Sequence, residues 1–118
     1  MVRDRDASGI SALLSDDAVM HSPVVHTPLV GRAIVTKYLE AALYVFGSPS
    51  FRYVRETVAA DHAVLEFTSE VDGITVNGVD IISWNSAELI TDFKVMVRPF
   101  KAINLIHEKM AALMQPKR

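Results

Sequence analysis

Cysteine is absent from this chain of 118 residues, which excludes disulfides, thiolate nucleophiles and cysteine metal sites. An excess of either charge is lacking too. The formal net charge is −2, and no basic block occurs beyond Lys117–Arg118, so there is no electrostatic footprint for nucleic acid. No apolar run approaches the ~20 residues that a membrane-spanning helix needs. The opening residues, MVRDRDASG, lack the apolar centre of a secretory signal. There is no internal repeat, linker or low-complexity segment. Two loop histidines, His21 and His26, match no zinc or iron spacing, and neither a metal nor another cofactor is expected. A soluble, cytoplasmic protein is the expectation.

What is present is apolar residue. Half the chain is hydrophobic and 22% is charged, which suits one folded domain spanning 1–118 and argues against disorder. Asp6 is placed to cap a short helix over 7–14, with Ile10, Leu13 and Leu14 on one face. Asp16 and Asp17 end it, and AVMH (18–21) reads as a short strand. Pro23 and Pro28 then hold the chain in an extended loop. A helix is expected over 32–46, its apolar stripe running through Ile34, Tyr38, Ala42, Val45 and Phe46, with Gly47 and Pro49 closing it.

After Pro49 the pattern becomes β. FRYVRETV (51–58) alternates, HAVLEFTSEV (62–71) follows, and Asp72-Gly73 makes a tight hairpin turn. Residues 74–84 form the next strand. Asn77-Gly78 is a second hairpin signal, but a turn there would leave too short a strand, so Gly78 marks a bulge or a close backbone approach. The last strand covers 89–98, and Pro99 starts a helix over 100–114 with Ala102, Ile106, Met110 and Leu113 on one side. Helices segregated from a run of antiparallel strands mean α+β.

One residue disturbs this pattern. Asp80 stands among Val79, Ile81, Ile82 and Trp84, in a strand that should be buried. A lone carboxylate there is costly unless it is paired, hydrogen-bonded or neutral.

The order of elements, with SALLSDDAVMHSPV, PLVGRAIVTKYL, GVDIISWN and LITDFKVMVRPF, resembles the superfamily of nuclear transport factor 2-like, SnoaL-like and ketosteroid isomerase-like domains, in its bacterial small-ligand branch. The resemblance implies a cystatin-like roll: a strongly bent antiparallel sheet, with helices, forming a cone around an apolar pocket. Members include isomerases, epoxide hydrolases, dehydratases and polyketide cyclases on small hydrophobic molecules, and others that only bind or dimerise. Asp80 matches the position at which the steroid isomerases carry a protonated aspartic acid that donates to an oxyanion, the worked example of a carboxylic acid kept neutral by an apolar site.

The departures from the family pattern are specific. The isomerases' basic aspartate precedes a proline; here Ser22 precedes Pro23. Their catalytic tyrosine lies on a first helix that this chain largely lacks. The hydrolases' arginine two residues before the aspartate is replaced by Gly78, which argues against epoxide hydrolysis by that route. Helix 100–114 is expected to cover the surface that the first helix would cover, from its own chain or a partner's.

The catalytic candidates are Asp80, as acid or hydrogen-bond donor, and His21, as the base in place of the aspartate, although a regular strand would turn His21 away from the pocket. The bland alternative for Asp80 is a structural ion pair with Arg98 or Lys94, or a bond to a backbone amide. Ser22, Tyr38, Phe67, Ile82, Trp84, Met96 and Arg98 are the candidate ligand contacts. Ile82 and Trp84 share the Asp80 face by period two. Residues 92–98 have a polar face (Asp92, Lys94, Met96, Arg98) and an apolar one (Phe93, Val95, Val97), and the sequence leaves open which lines the cone. Arg98 binds a ligand carboxylate in one reading and makes an ion pair at the helix junction in the other. Strand 79–84 is apolar on both sides, so the outer side is expected to meet a second subunit in a twofold homodimer. The functional expectation is binding of a small hydrophobic molecule in the cone, with isomerase-, lyase- or cyclase-like chemistry. A non-catalytic ligand-binding or dimerising module is the alternative, and a protein–protein adaptor a third.

Overall fold

The computed structural model describes residues 9–115. In chain order the elements are α1 (Ile10–Leu13), β1 (Leu14–His21), β2 (Leu29–Val30), α2 (Arg32–Phe46), β3 (Arg52–Val58), β4 (His62–Val71), β5 (Ile74–Trp84), β6 (Ile90–Arg98) and α3 (Phe100–Met114). The six strands form one sheet in the order β2-β1-β6-β5-β4-β3. The fold is α+β, with a curved sheet that does not close on itself. Both long helices span the residues that their apolar stripes mark.

The β3–β4–β5–β6 meander is antiparallel, and local signals account for it. Asp72 and Gly73 join β4 to β5 with φ of 48° and 79°, the left-handed pair that a two-residue hairpin turn demands. Register shifts between Tyr53 and Arg55, and between Ser83 and Trp84, interrupt the ladders, and such irregularities bend a strand locally.

Two features depart from the sequence reading. Leu14 leaves the helix and starts a strand, so α1 is a single turn. Leu14 is 1% exposed and pairs with Ile90, a burial that a helical Leu14 would forgo. The strand expected at 18–21 thus runs from 14, with a shift after Leu14 that leaves Asp16 and Asp17 exposed. The second departure is that β1 runs parallel to β6, far away in sequence, and the expected loop holds the two-residue β2 against β1. Asp6, residues 7 and 8, and Lys117–Arg118 lie outside the described residues.

Helix α3 docks on its own chain. Ala102, Ile106 and Met110 are buried in a core shared with Val35, Val45 and Val76. Two polar tethers hold it: Lys37 Nζ donates to the Met114 carbonyl at 3.3 Å, and Lys109 Nζ lies 2.8 Å from Asp72 Oδ2 at the β4–β5 turn. No helix among the described residues is long and apolar enough to cross a membrane.

Candidate functional site

Strand alternation decides which side chains meet inside the curve of the sheet. Asp80 pairs across with Leu65 of β4 and with Val95 of β6, and directly paired residues share a face. Val95 is 8% exposed, so this face is the inner one, and Phe93 lies on it too. Lys94, Met96 and Arg98 therefore project from the other side of β6. The apolar face of β6 lines the curve, and neither cation is placed to pair with Asp80.

Between this inner face, α1 and α2 lies an apolar cavity of about 200 Å³. That is far beyond the ~15 Å³ needed to hold one water. Met20, Leu43, Phe46, Phe67, Ile82 and Phe93 represent its walls. Three lining side chains carry polar tips: Asp80 from β5, Tyr53 from β3 and Tyr38 from α2. Asp80 has no hydrogen-bond or ion-pair partner among the described residues. Burial without compensation pushes its carboxyl up to about 7. Burial likewise pushes the Tyr53 hydroxyl up to about 12, and the Asp80 and Glu56 carboxylates add to that shift. The Tyr38 hydroxyl is also raised to about 12 by burial, which a hydrogen bond with Ser22 partly offsets. Among the described residues the cavity thus brings together a carboxyl raised toward neutrality and two phenols raised above their usual range.

The sequence candidates divide. Asp80, Tyr38, Phe67 and Ile82 line the cavity. Ser22 stands behind Tyr38, and its Oγ accepts from the Val25 amide at 3.1 Å. His21 is not a cavity residue: Met20, 0% exposed, takes the inward position on β1, so alternation turns His21 outward. There its Nε2 lies 3.0 Å from Asp92 Oδ2. Met96 and Arg98 are exposed on the outer side, and neither lines the cavity. Trp84, just past the register shift at the end of β5, donates from Nε1 to the Ala60 carbonyl at 3.2 Å. The shift breaks the period-two argument that had put it beside Asp80. Tyr53 was missed, along with Phe51. The alternation of residues 51–58 puts both on one face, but nothing local says that this face looks inward. Among the described residues no three His, Cys, Asp or Glu side chains gather in a way that could hold a metal ion.

Residues 1–93 match the family model of the SnoaL-like domain. Among solved structures, a steroid delta-isomerase from Pseudomonas aeruginosa is 36% identical, with a TM-score of 0.87, over 94% of this chain and 81% of that one. A bacterial protein with a cystatin-like fold from Silicibacter pomeroyi is 34% identical, with a TM-score of 0.87, over 95% of this chain and 78% of that one. An epoxide hydrolase/cyclase-like enzyme of salinomycin pyran-ring formation shares the fold alone, at 16% identity and a TM-score of 0.66, over 82% of this chain and 81% of that one. No curated protein matches the sequence significantly.

Proposed function

Because this chain belongs to the SnoaL-like family, we propose that it binds a small apolar molecule bearing a carbonyl or similar oxygen in the inner cavity, with neutral Asp80 as the hydrogen-bond donor. The observation that carries this reading is the unpartnered Asp80 carboxyl inside an apolar cavity. A carboxylic acid with no internal acceptor has a donor to offer, and a ligand oxygen is the acceptor that such a site lacks. Donation needs the protonated form, so affinity falls by about tenfold per pH unit above the Asp80 midpoint. The experiment is a thermal-shift screen of apolar carbonyl, epoxide and lactone compounds at about pH 5.5 and about pH 8.5, on either side of that midpoint. Stabilisation by carbonyl compounds that weakens at the higher pH, is lost in Asp80→Leu, and persists without the pH dependence in Asp80→Asn, whose amide still donates, supports the reading. Carbonyl binding that ignores both pH and Asp80 sinks it.

A second reading is favoured by the 36% identity to a steroid delta-isomerase: the bound molecule is isomerised. Moving a double bond needs a base that takes a proton from one carbon and returns it to another. Among the described residues Asp80 is the single carboxyl or imidazole lining the cavity, so in this reading the ionised carboxylate carries the proton itself. The two readings then differ in sign. Turnover of a β,γ-unsaturated ketone, followed by the ultraviolet absorbance of the conjugated product, rises with pH through about 7 if Asp80 is the base. Ligand affinity falls over the same interval if Asp80 is the donor.

The reading includes a homodimer formed through the outer sheet face. Val64 with Ile81, and Val79 with Met96, are cross-strand partners on that side, and Met96 is 48% exposed. Glu66, Lys94 and Arg98 surround them, a charged rim around an apolar centre of the kind interfaces show.

A further inference from the structure

Gly78 is buried in the middle of β5, directly opposite Phe67 on β4. A Cβ at this position would overlap Cζ of Phe67 and would stand 2.8 Å from its Cε2 and 3.0 Å from the Met96 carbonyl oxygen. The φ of Gly78 is not positive, so the backbone does not require glycine here. The requirement is space, and the Phe67 ring occupies it.

That ring anchors an aromatic wall. Phe67 meets Phe46 edge-on, with centroids 5.5 Å apart and planes at 80°, and stacks on Phe51 at 5.3 Å and 21°. Phe51 in turn meets Tyr53 edge-on at 5.2 Å and 89°. All four rings line the cavity, and Asp80 projects into it two residues along β5 from Gly78. A ring lifted off Gly78 cannot return toward the strand, and the open volume next to it is the cavity itself.

We propose that Gly78 is the position that sets ligand size, and that the ligand is a flat aromatic or conjugated carbonyl compound lying along the aromatic wall with its oxygen at Asp80. This inference rests on the carbonyl-binding reading above. Flat rings find offset faces and edges on such a wall, whereas a puckered saturated ring forfeits those contacts. Gly78 acts through Phe67, so it is a positioning residue.

The test uses three methyl ketones: acetophenone, acetylnaphthalene and cyclohexyl methyl ketone. Their affinities are measured by calorimetry on the full chain, on Gly78→Ala, on Phe67→Leu and on the double variant. The unsubstituted protein is expected to bind acetophenone more tightly than its saturated counterpart. Gly78→Ala is expected to weaken acetylnaphthalene by about tenfold relative to acetophenone. Phe67→Leu in the same chain is expected to restore the ratio, because the leucine vacates the space that the new methyl needs. The inference is overturned if both aromatic ketones weaken equally, if neither weakens, if the double variant keeps the loss, or if the saturated ketone binds as well as acetophenone. Should Gly78→Ala fail to fold, Phe67→Leu alone must shift preference toward acetylnaphthalene, and an unchanged ratio overturns the proposal. Binding of neither aromatic ketone overturns the carbonyl-binding reading and this inference with it. Binding that is indifferent to residue 78 overturns this inference alone.

Discussion

Asp80 and Val95 are cross-strand partners on the inner face of the sheet, and this pairing leaves the carboxyl without a counter-ion among the described residues. Had β6 been set one residue further along, Lys94 or Met96 would face Asp80 instead, since a one-residue slip exchanges the two faces of a strand. With Lys94 opposite, an ion pair would hold Asp80 ionised. The present register keeps Lys94 and Arg98 outside, and Asp80 sits among apolar side chains with its carboxyl raised to about 7.

That shift fixes how stability depends on pH. The folded-state carboxyl is raised above its unfolded value of 3.8, so the advantage of the neutral form is fully present below that value and is lost as pH rises through about 7. At roughly 1.4 kcal/mol per pKa unit, the loss amounts to a few kcal/mol. Asp80→Asn removes the titration. Its stability relative to the unsubstituted protein is expected to climb between about pH 4 and about pH 7 and to level off above. Denaturant melts at several pH values read this directly, and a pH-independent difference contradicts a buried, uncompensated Asp80.

His21 provides a complementary control. It lies outside the cavity and pairs with Asp92 in a half-exposed contact of 3.0 Å. His21→Ala is expected to cost less than about 1 kcal/mol, as partly exposed ion pairs do. Ketone affinity is expected to stay within about threefold, which corresponds to less than 1 kcal/mol. A loss of ketone turnover or binding comparable to that of Asp80→Leu would return His21 to the site.

The outer face tests the assembly. Ile81 sits at the centre of the apolar outer patch, between Val64 and Lys94. Ile81→Arg places a charge where a twofold partner would bury it, and a buried unpaired charge is strongly destabilising. Sedimentation at micromolar concentration is expected to give a dimer for the unsubstituted chain and a monomer for the variant. A monomer in both cases removes the dimer from the proposal.

Much of the architecture is legible in the residue order. The apolar stripes of 32–46 and 100–114 run at helical period, and Asp72-Gly73 demands a hairpin, because these signals act over a few residues. Gly78 was readable as a bulge or a close backbone approach, but the ladders run through it without a shift and what crowds it is chiefly the Phe67 ring. His21 shows how strand alternation, used alone, already pointed away from the pocket. Trp84 shows where that alternation fails, at a register shift that no local pattern announces.

By itself, then, the sequence determined the two long helices, the meander between them and the presence of one carboxyl in an apolar strand. All of these follow from short-range periodicity and turn chemistry. Only the tertiary structure decided which face of residues 92–98 looks inward, that Leu14–His21 lies parallel to that strand, and that Tyr53, rather than Trp84, joins Asp80 at the cavity. These depend on the register between strands far apart in the chain, where a slip of one residue changes every neighbour while leaving each local pattern intact.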